Sequence, residues 1–199
     1  MKLLIIRHGE SEADILDVHE GRADFELTKR GHCQADAMSE YVNEHYRIFK
    51  IYHSPLKRAA QTANHLASKT RASLIPDEHL MEFNNGLLAG LTHSAADEHY
   101  PQVNVPVHLS VYEQESMLDF RYRAEYMLSR LISENHDDDT IAVVTHGGMI
   151  NQLYCAFFGL PVGAQFAFWT GDTGIHEWNI NGNSRILVRA NYIPHNNTI

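Results

Sequence analysis

The chain has 199 residues, a length that suits one domain or a domain with a small insertion. Apolar residues make up 44% and charged residues 21%, which excludes wholesale disorder. Lys plus Arg total 16 against 25 Asp plus Glu, a net −9; this disfavours nucleic-acid and anionic-membrane partners but leaves a small anionic substrate open, since a pocket can oppose the net charge.

Leu3-Leu4-Ile5-Ile6 is a short apolar run that reads as a buried strand ending at Arg7. It is too short for a signal-peptide core, and no later run reaches membrane length, so the expected location is the cytoplasm. Residues 9–30 are polar and read as a long loop. From Gly31 to Tyr46, Ala35, Met38, Val42 and His45 recur at helical spacing. Phe49 to Tyr52 reads as a second strand, stopping at His53-Ser54-Pro55. Ser54 as N-cap and Pro55 at the first helical position would start a helix with the stripe Ala59, Ala60, Ala63, Leu66 and Ala67. Ala72 to Ile75 is a third strand candidate, followed by an irregular insert at about 77–116 with one short helix near Ser94–His99. Met117 to Ile132 is amphipathic, with Met117, Phe120, Ala124, Met127, Leu128 and Leu131 on one face. Thr140 to Val144 is the clearest strand; Gly147-Gly148 breaks it, and a helix then runs to Phe158, closed by Gly159 and Pro161. Ile175–Ile180 and Arg185–Ala190 form a hairpin around Asn181-Gly182-Asn183. Cys33 and Cys155 fall inside helical patterns with no CxxC pair, and are expected to be reduced, buried thiols.

Strands alternating with helices predict an α/β fold with a mainly parallel sheet and an antiparallel strand at one edge. Residues 1–199 are expected to form a single domain, with the insert as a lid.

Three strands end in unusual residues: Arg7-His8-Gly9, Ser54 with Arg58 one helical turn on, and His146-Gly147-Gly148. In doubly wound sheets ligands bind beyond the carboxyl ends of the strands, so these segments should converge. Two Arg, two His and fresh helix N-termini make a site for a phosphoryl group. Imidazoles beside fixed cations resist protonation, and a neutral His can act as a nucleophile. The leaving oxygen then needs an acid from a loop over the crevice. Glu82 has apolar flanks that would bury it and favour its protonated form; Asp77, Glu78 and Glu98 compete with it on spacing alone.

These residues resemble the histidine phosphatase superfamily, with its phosphoglycerate mutase-like fold. Arg7-His8-Gly9-Glu10-Ser11 is similar to its RHGE[ST] signature. Gly21, Asp24, Leu27-Thr28 and Gly31 resemble its GxxDxxLTxxG loop. Ser54 to Ala63 resembles its SPLxRAxQTA segment, and Glu82, Gly86 and Gly90-Leu91-Thr92 its acid loop. Glu115-Ser116 resembles its GES element, and Val144 to Gly148 its second-histidine motif. The resemblance spans roughly residues 3 to 180. It implies a three-layer α/β/α sandwich and a phosphomonoesterase with no metal and no other cofactor. His8 would be the nucleophile, Arg7, Arg58 and His146 would hold the phosphoryl oxygens, and Glu82 would be the proton donor. Asp14 stands where many members carry Asn near the phosphate, Glu26 replaces a common Pro, and Leu88-Ala89 replaces an aromatic-acidic pair.

Other residues carry weaker signals. Gly147 would present an N–H to the phosphate. Ser11 and Thr28 read equally as caps or as phosphate contacts, and Ser54 as an N-cap. The chain holds 14 His, yet none of the spacings forms an HExxH, so no metal site is expected. His176 lies on a segment that in the family approaches the nucleophile, so a role in specificity is open. Phe83 reads as lid core; Tyr112 reads equally as core or as a substrate wall. The partner is expected to be a small phosphorylated substrate, and a homodimer is the default oligomer. Two rivals remain: a phosphoglycerate mutase and a non-catalytic phospho-ligand binder. Residues 83–116 contain no Lys and no Arg, which argues against a doubly anionic substrate and for hydrolysis.

Overall fold

Six strands form one sheet, flanked on both faces by helices. In chain order the elements are β1 (Lys2–Arg7), α1 (Glu12–Leu16), α2 (Lys29–His45), β2 (Lys50–His53), α3 (Lys57–Thr70), β3 (Ser73–Pro76), α4 (His93–His99), α5 (Met117–Ser133), β4 (Thr140–Thr145), α6 (Gly147–Phe158), β5 (Ile175–Asn181) and β6 (Ser184–Tyr192). The computed structural model describes residues 1–164, 166–193 and 195. Among them no helix is long and apolar enough to cross a membrane.

The strand order is β3-β2-β4-β1-β5-β6. β1, β2, β3 and β4 run parallel, while β5 is antiparallel to β1 and to β6. The hairpin therefore contributes two strands to one side of the sheet, and β6 is the edge. The apolar run of β1 suits a central parallel strand, covered on both faces. Leu3 and Ile5 face one core with Ile141, Val143 and Trp178, filled by Phe120, Met127 and Leu131 of α5 and Ile150, Leu153 and Phe157 of α6. Leu4 and Ile6 face the other with Ala142 and Val144, filled by Met38 and Val42 of α2 and Ala59, Ala63 and Leu66 of α3. The result is the expected three-layer sandwich.

Several sequence expectations are corrected. The 9–30 loop contains the short helix α1. The cap of α2 is Thr28, whose hydroxyl accepts from Gly31 N, so the helix starts two residues before Gly31. α3 starts after Leu56, not at Ser54-Pro55. Ser54 is still in the sheet's hydrogen-bond pattern, its N–H donating to Val144 O, and its hydroxyl is engaged by His146. Phe49 precedes β2 and is exposed. Pro76 ends β3, which an edge strand tolerates because it needs no donor on its open side. Cys155 is buried, but Cys33 is exposed on α2 and is not a core thiol.

The β1–α1 loop and α2 meet backbone to backbone. A Cβ on Gly31 would stand 2.0 Å from the carbonyl oxygen of Glu10, and one on Gly9 would stand 2.6 Å from that of Gly31. Gly31→Ala should gain about 1 kcal/mol of helix propensity but lose about 1–3 kcal/mol or more to the clash. The clash should win because a main chain cannot rotate away as a side chain does. Urea unfolding is expected to find the variant less stable, with lower turnover because the loop carries His8; a variant at least as stable as wild type would refute the close-packing argument.

Candidate active site

The carboxyl ends of β1, β2 and β4 meet at one crevice, as the strand-end residues required. A cavity of about 240 Å³ is lined by Arg7, His8, Glu20, Glu82, Gly147, Asn151, Phe168, Trp169 and Thr170.

His8 is buried, and its Nδ1 stands 2.7 Å from Gly9 O. A carbonyl only accepts, so Nδ1 carries the hydrogen and Nε2 presents its lone pair. Arg58 Nε points its single hydrogen at that region, 3.3 Å from His8 Nε2. Burial, then Arg58 and Arg7, hold the His8 pKa well below the ordinary range. His146 is buried as well, 5.1 Å ring to ring from His8. Its Nε2 pairs with Ser54 Oγ at 2.8 Å, and its Nδ1 is buried without a hydrogen-bond partner. Burial, then Arg58, His8 and Arg7, depress its pKa strongly. Both imidazoles are therefore neutral at physiological pH.

Arg58 has 0% exposure. It donates to Ala23 O at 3.1 Å and Gly21 O at 2.8 Å. Arg7 is half-buried; its Nη1 donates to Thr170 O at 2.8 Å and lies 3.2 Å from Asp172 Oδ1. Glu82 reaches the mouth of the same crevice from the insert. Its Oε1 accepts from Phe83 N and its Oε2 from Gly148 N, each at 2.8 Å. It is only half-buried and sits on two N–H donors, so the apolar burial expected from its flanks is not found. A Cβ on Gly148 would stand 2.3 Å from Glu82 Oε1, which explains why the start of α6 is glycine there.

Arg123 of α5 holds the Glu82 segment. It donates to the carbonyls of His79, Met81 and Glu82 and pairs with Glu115 at 2.6 Å. Glu115 in turn accepts from Asn84 N. Of the carboxylates that competed with Glu82 for the acid role, Asp77 is committed to Arg130 and His79. Glu78 and Glu98 do not line the cavity.

Six further positions singled out from sequence divide between the cavity and its surroundings. Gly147 lines the cavity. Thr28 does not: it caps α2, and its hydroxyl donates to Glu10. Ser11 and Asp14 lie behind Glu20. Ser11 N donates to Asp14 Oδ2 at 2.7 Å, and Asp14 Oδ1 is 3.7 Å from Arg7. Phe83 packs on the core edge-to-face with Phe120. Tyr112 donates its hydroxyl to Pro101 O within the insert and does not wall the cavity.

Glu20, Asn151, Phe168 and Trp169 were not singled out from sequence. Glu20 sits in a polar loop with no periodicity. Phe168 and Trp169 follow α6 in a stretch with no recognisable element.

His176 is not at the crevice. It is buried in β5 beneath Thr170. Asn191 N and the Tyr154 hydroxyl both reach Nδ1, so Nδ1 accepts and Nε2–H donates to Thr170 Oγ1. Tyr154, His176 and Thr170 thus support Arg7. The remaining His are dispersed, some in pairs such as His19–His93 and His32–His65. Among the described residues no group of three or more His, Cys, Asp or Glu is placed to hold a metal ion.

The family model of the histidine phosphatase superfamily (branch 1) matches residues 3–193. Phosphoserine phosphatase 1 of Hydrogenobacter thermophilus is 25% identical, over 98% of this chain and 94% of its own. A 2,3-bisphosphoglycerate-dependent phosphoglycerate mutase of Bartonella tribocorum is 30% identical, over 79% of this chain and 82% of its own. Among solved structures, a mycobacterial glucosyl-3-phosphoglycerate phosphatase complexed with VO3 superposes with a TM-score of 0.84 at 26% identity, covering 96% of this chain and 98% of that one.

Burial lowers the pKa of His176 to about 4 from an ordinary 6.5. The unfolded chain then binds a proton that the native state refuses, so stability falls as pH drops below the ordinary value. From pH 7 to pH 5 this one group should remove about 2 kcal/mol. His8 and His146 act in the same direction; Glu20 and Asp172, whose pKa values burial raises, act in the other. Comparing wild type with His176→Gln by urea unfolding at both pH values isolates the term. Wild type should lose about 2 kcal/mol more than the variant, and equal losses would show that His176 is not held neutral.

Proposed function

The chain belongs to the histidine phosphatase superfamily and is a phosphatase, and we propose that it is a metal-independent phosphomonoesterase working through a phosphohistidine on His8. The observation that carries this reading is the Nε2 lone pair of His8, fixed by the Gly9 carbonyl and flanked by Arg58 and Arg7. A nucleophile at nitrogen needs a neutral imidazole, and burial beside two guanidinium groups keeps it so.

In this mechanism Nε2 attacks phosphorus and the bond to the leaving oxygen breaks. Glu82 gives its proton to that oxygen. Arg7, Arg58 and His146 hold the equatorial oxygens; the unpartnered Nδ1 of His146 offers a site for one of them. Water then attacks phosphorus, the P–N bond returns its pair to Nε2, and Glu82 takes up the water proton. The 199 residues work as one domain, with the insert at about 77–116 as a lid hinged on the Arg123–Glu115 pair.

Hydrolysis is favoured over phosphoryl return to substrate. Residues 83–116 contribute no Lys or Arg that would hold a second phosphate or a carboxylate. Phe168 and Trp169 line the crevice instead, with Trp169 75% exposed. The substrate class this supports is a small monoester with one phosphate and an uncharged leaving group that has a flat or apolar face, resting on Trp169 with Asn151 beside it.

With excess chelator, wild type should still release phosphate from aryl and alkyl monoesters, and His8→Ala should abolish both. Glu82→Gln should slow alkyl esters by about 10²–10⁴ but aryl esters far less, since a phenolate leaves without help. An equal loss on both would remove Glu82 from the acid role, and chelator-sensitive turnover would overturn metal independence. Trp169→Ala should raise KM about 2- to 12-fold for esters with an aromatic leaving group, with little change for small alkyl ones. An unchanged KM would place the leaving group elsewhere.

A further inference from the structure

The mechanism above leaves Glu20 without a part, yet no carboxylate lies nearer the nucleophile among the described contacts. Its Oε2 is 3.6 Å from His8 Nε2, and its Oε1 is 3.0 Å from Arg58 Nε. These are the two groups between which a phosphoryl group on His8 would have to sit. Arg58 Nε has one hydrogen, and Glu20 competes with His8 for it.

We propose that Glu20 sits in the phosphoryl seat in competition with substrate, and that the site accepts a phosphoryl dianion only when this carboxyl carries a proton. The inference rests on the reading of His8, Arg58 and Arg7 as the phosphoryl-binding groups, and it assigns a further residue that determines which charge state they accept.

The surrounding charges point the same way. At the end of β1 the seat meets Arg7 and neutral His8; Arg58 of α3 and neutral His146 at the start of α6 stand against His8, buried behind the cavity wall. Facing them are Glu20 itself, Asp14 from α1, Asp24 from the loop beyond it, Glu82 from the insert, and Asp172 through Arg7. Two guanidinium groups thus meet five carboxyls, so an incoming dianion finds its counter-charge already engaged, and a proton on Glu20 releases the share of Arg58 that this nearest carboxyl holds. His19, next to Glu20 in the chain, is turned to His93.

The hydrogen count around Ser11 is a second, independent sign. Its hydroxyl lies 2.5 Å from Glu20 Oε1 and 3.1 Å from Asp14 Oδ2, with one hydrogen between two carboxylate oxygens. A proton on Glu20 would satisfy both contacts, with Glu20 donating to Ser11 and Ser11 to Asp14. Burial favours that proton, raising the Glu20 pKa against the opposing pull of Arg58. When substrate enters, the protonated carboxyl can stay as a donor to a phosphoryl oxygen, whereas the ionised one must be expelled.

Sulfate tests this without turnover, because it remains a dianion from pH 5 to pH 8. Sulfate affinity, measured by calorimetry, should be at least about ten-fold weaker at pH 8 than at pH 5 for wild type. For Glu20→Gln it should vary less than about two-fold over that range and exceed wild type at pH 8. Wild-type titrations at pH 8 in two buffers of different ionisation enthalpy should also show proton uptake on binding, a reading that needs no variant. A wild-type affinity independent of pH, a slope that persists in Glu20→Gln, or binding without proton uptake would each overturn the proposal. If neither protein binds sulfate at any pH, the phosphoryl-site reading falls with it. If Glu20→Gln binds while wild type shows no slope, only the role of Glu20 falls.

Discussion

A guanidinium with no exposure to solvent is the constraint around which this site is organised. Stripping an ion of water costs several kcal/mol, so Arg58 must find its counterparts inside the protein. It finds them in the carbonyls of Gly21 and Ala23, in the Glu20 carboxylate and in His8. Those four partners come from two separate segments, the end of β1 and the loop beyond α1. The buried charge therefore closes that loop over His8. Burial is the larger reason that His8 and His146 resist protonation, and Arg58 adds to it, so one residue both shapes the site and helps keep its imidazoles neutral. Thr62, one turn further along α3, fastens the same corner by accepting from Gly9 N and donating to Arg58 O.

A second arginine does similar work for the other wall. Arg123 gathers the carbonyls of His79, Met81 and Glu82 and grips Glu115, which itself accepts from Asn84 N. Glu82 is thus presented by an irregular segment that is nevertheless tied to a long helix at its base. The acid loop gains the positional definition of α5 without being part of it.

Much of this was legible in the sequence because strand ends are legible. Arg7-His8 and His146-Gly147 each follow an apolar run that reads as a buried strand, Ser54 follows the mixed stretch Phe49 to His53, and parallel topology makes such ends converge. What was not legible is long-range and polar. Ser54 has the look of a helix cap, but its hydroxyl serves His146, 92 residues away. Glu20 is one acid in a polar loop, and its meaning comes from Arg58. Cys33 sits within a helical pattern yet faces outward. For Arg123 a signal was present and passed over. It shares the buried face of α5 with Phe120, Ala124 and Met127, and a charged residue on such a face must have internal partners. Trp169 left no comparable trace, since an exposed aromatic in a loop follows no periodicity.

The position of β1 in the sheet has a consequence for how the chain comes together in time. The strand that leads into His8 lies between β4 and β5, with Lys2 opposite Thr140 on one side and Asn179 on the other. Its hydrogen-bond partners are therefore synthesised long after it, and loops of well over a hundred residues must close before it is enclosed. A nascent chain emerging from the ribosome exposes Leu3 to Ile6 throughout most of its synthesis, with α2, β2, α3 and β3 able to assemble only around a missing centre. His8 meets His146 only once β4 and β5 have been made. Folding of the sheet and assembly of the candidate site are thereby the same event, and a product truncated before β4 would lack both.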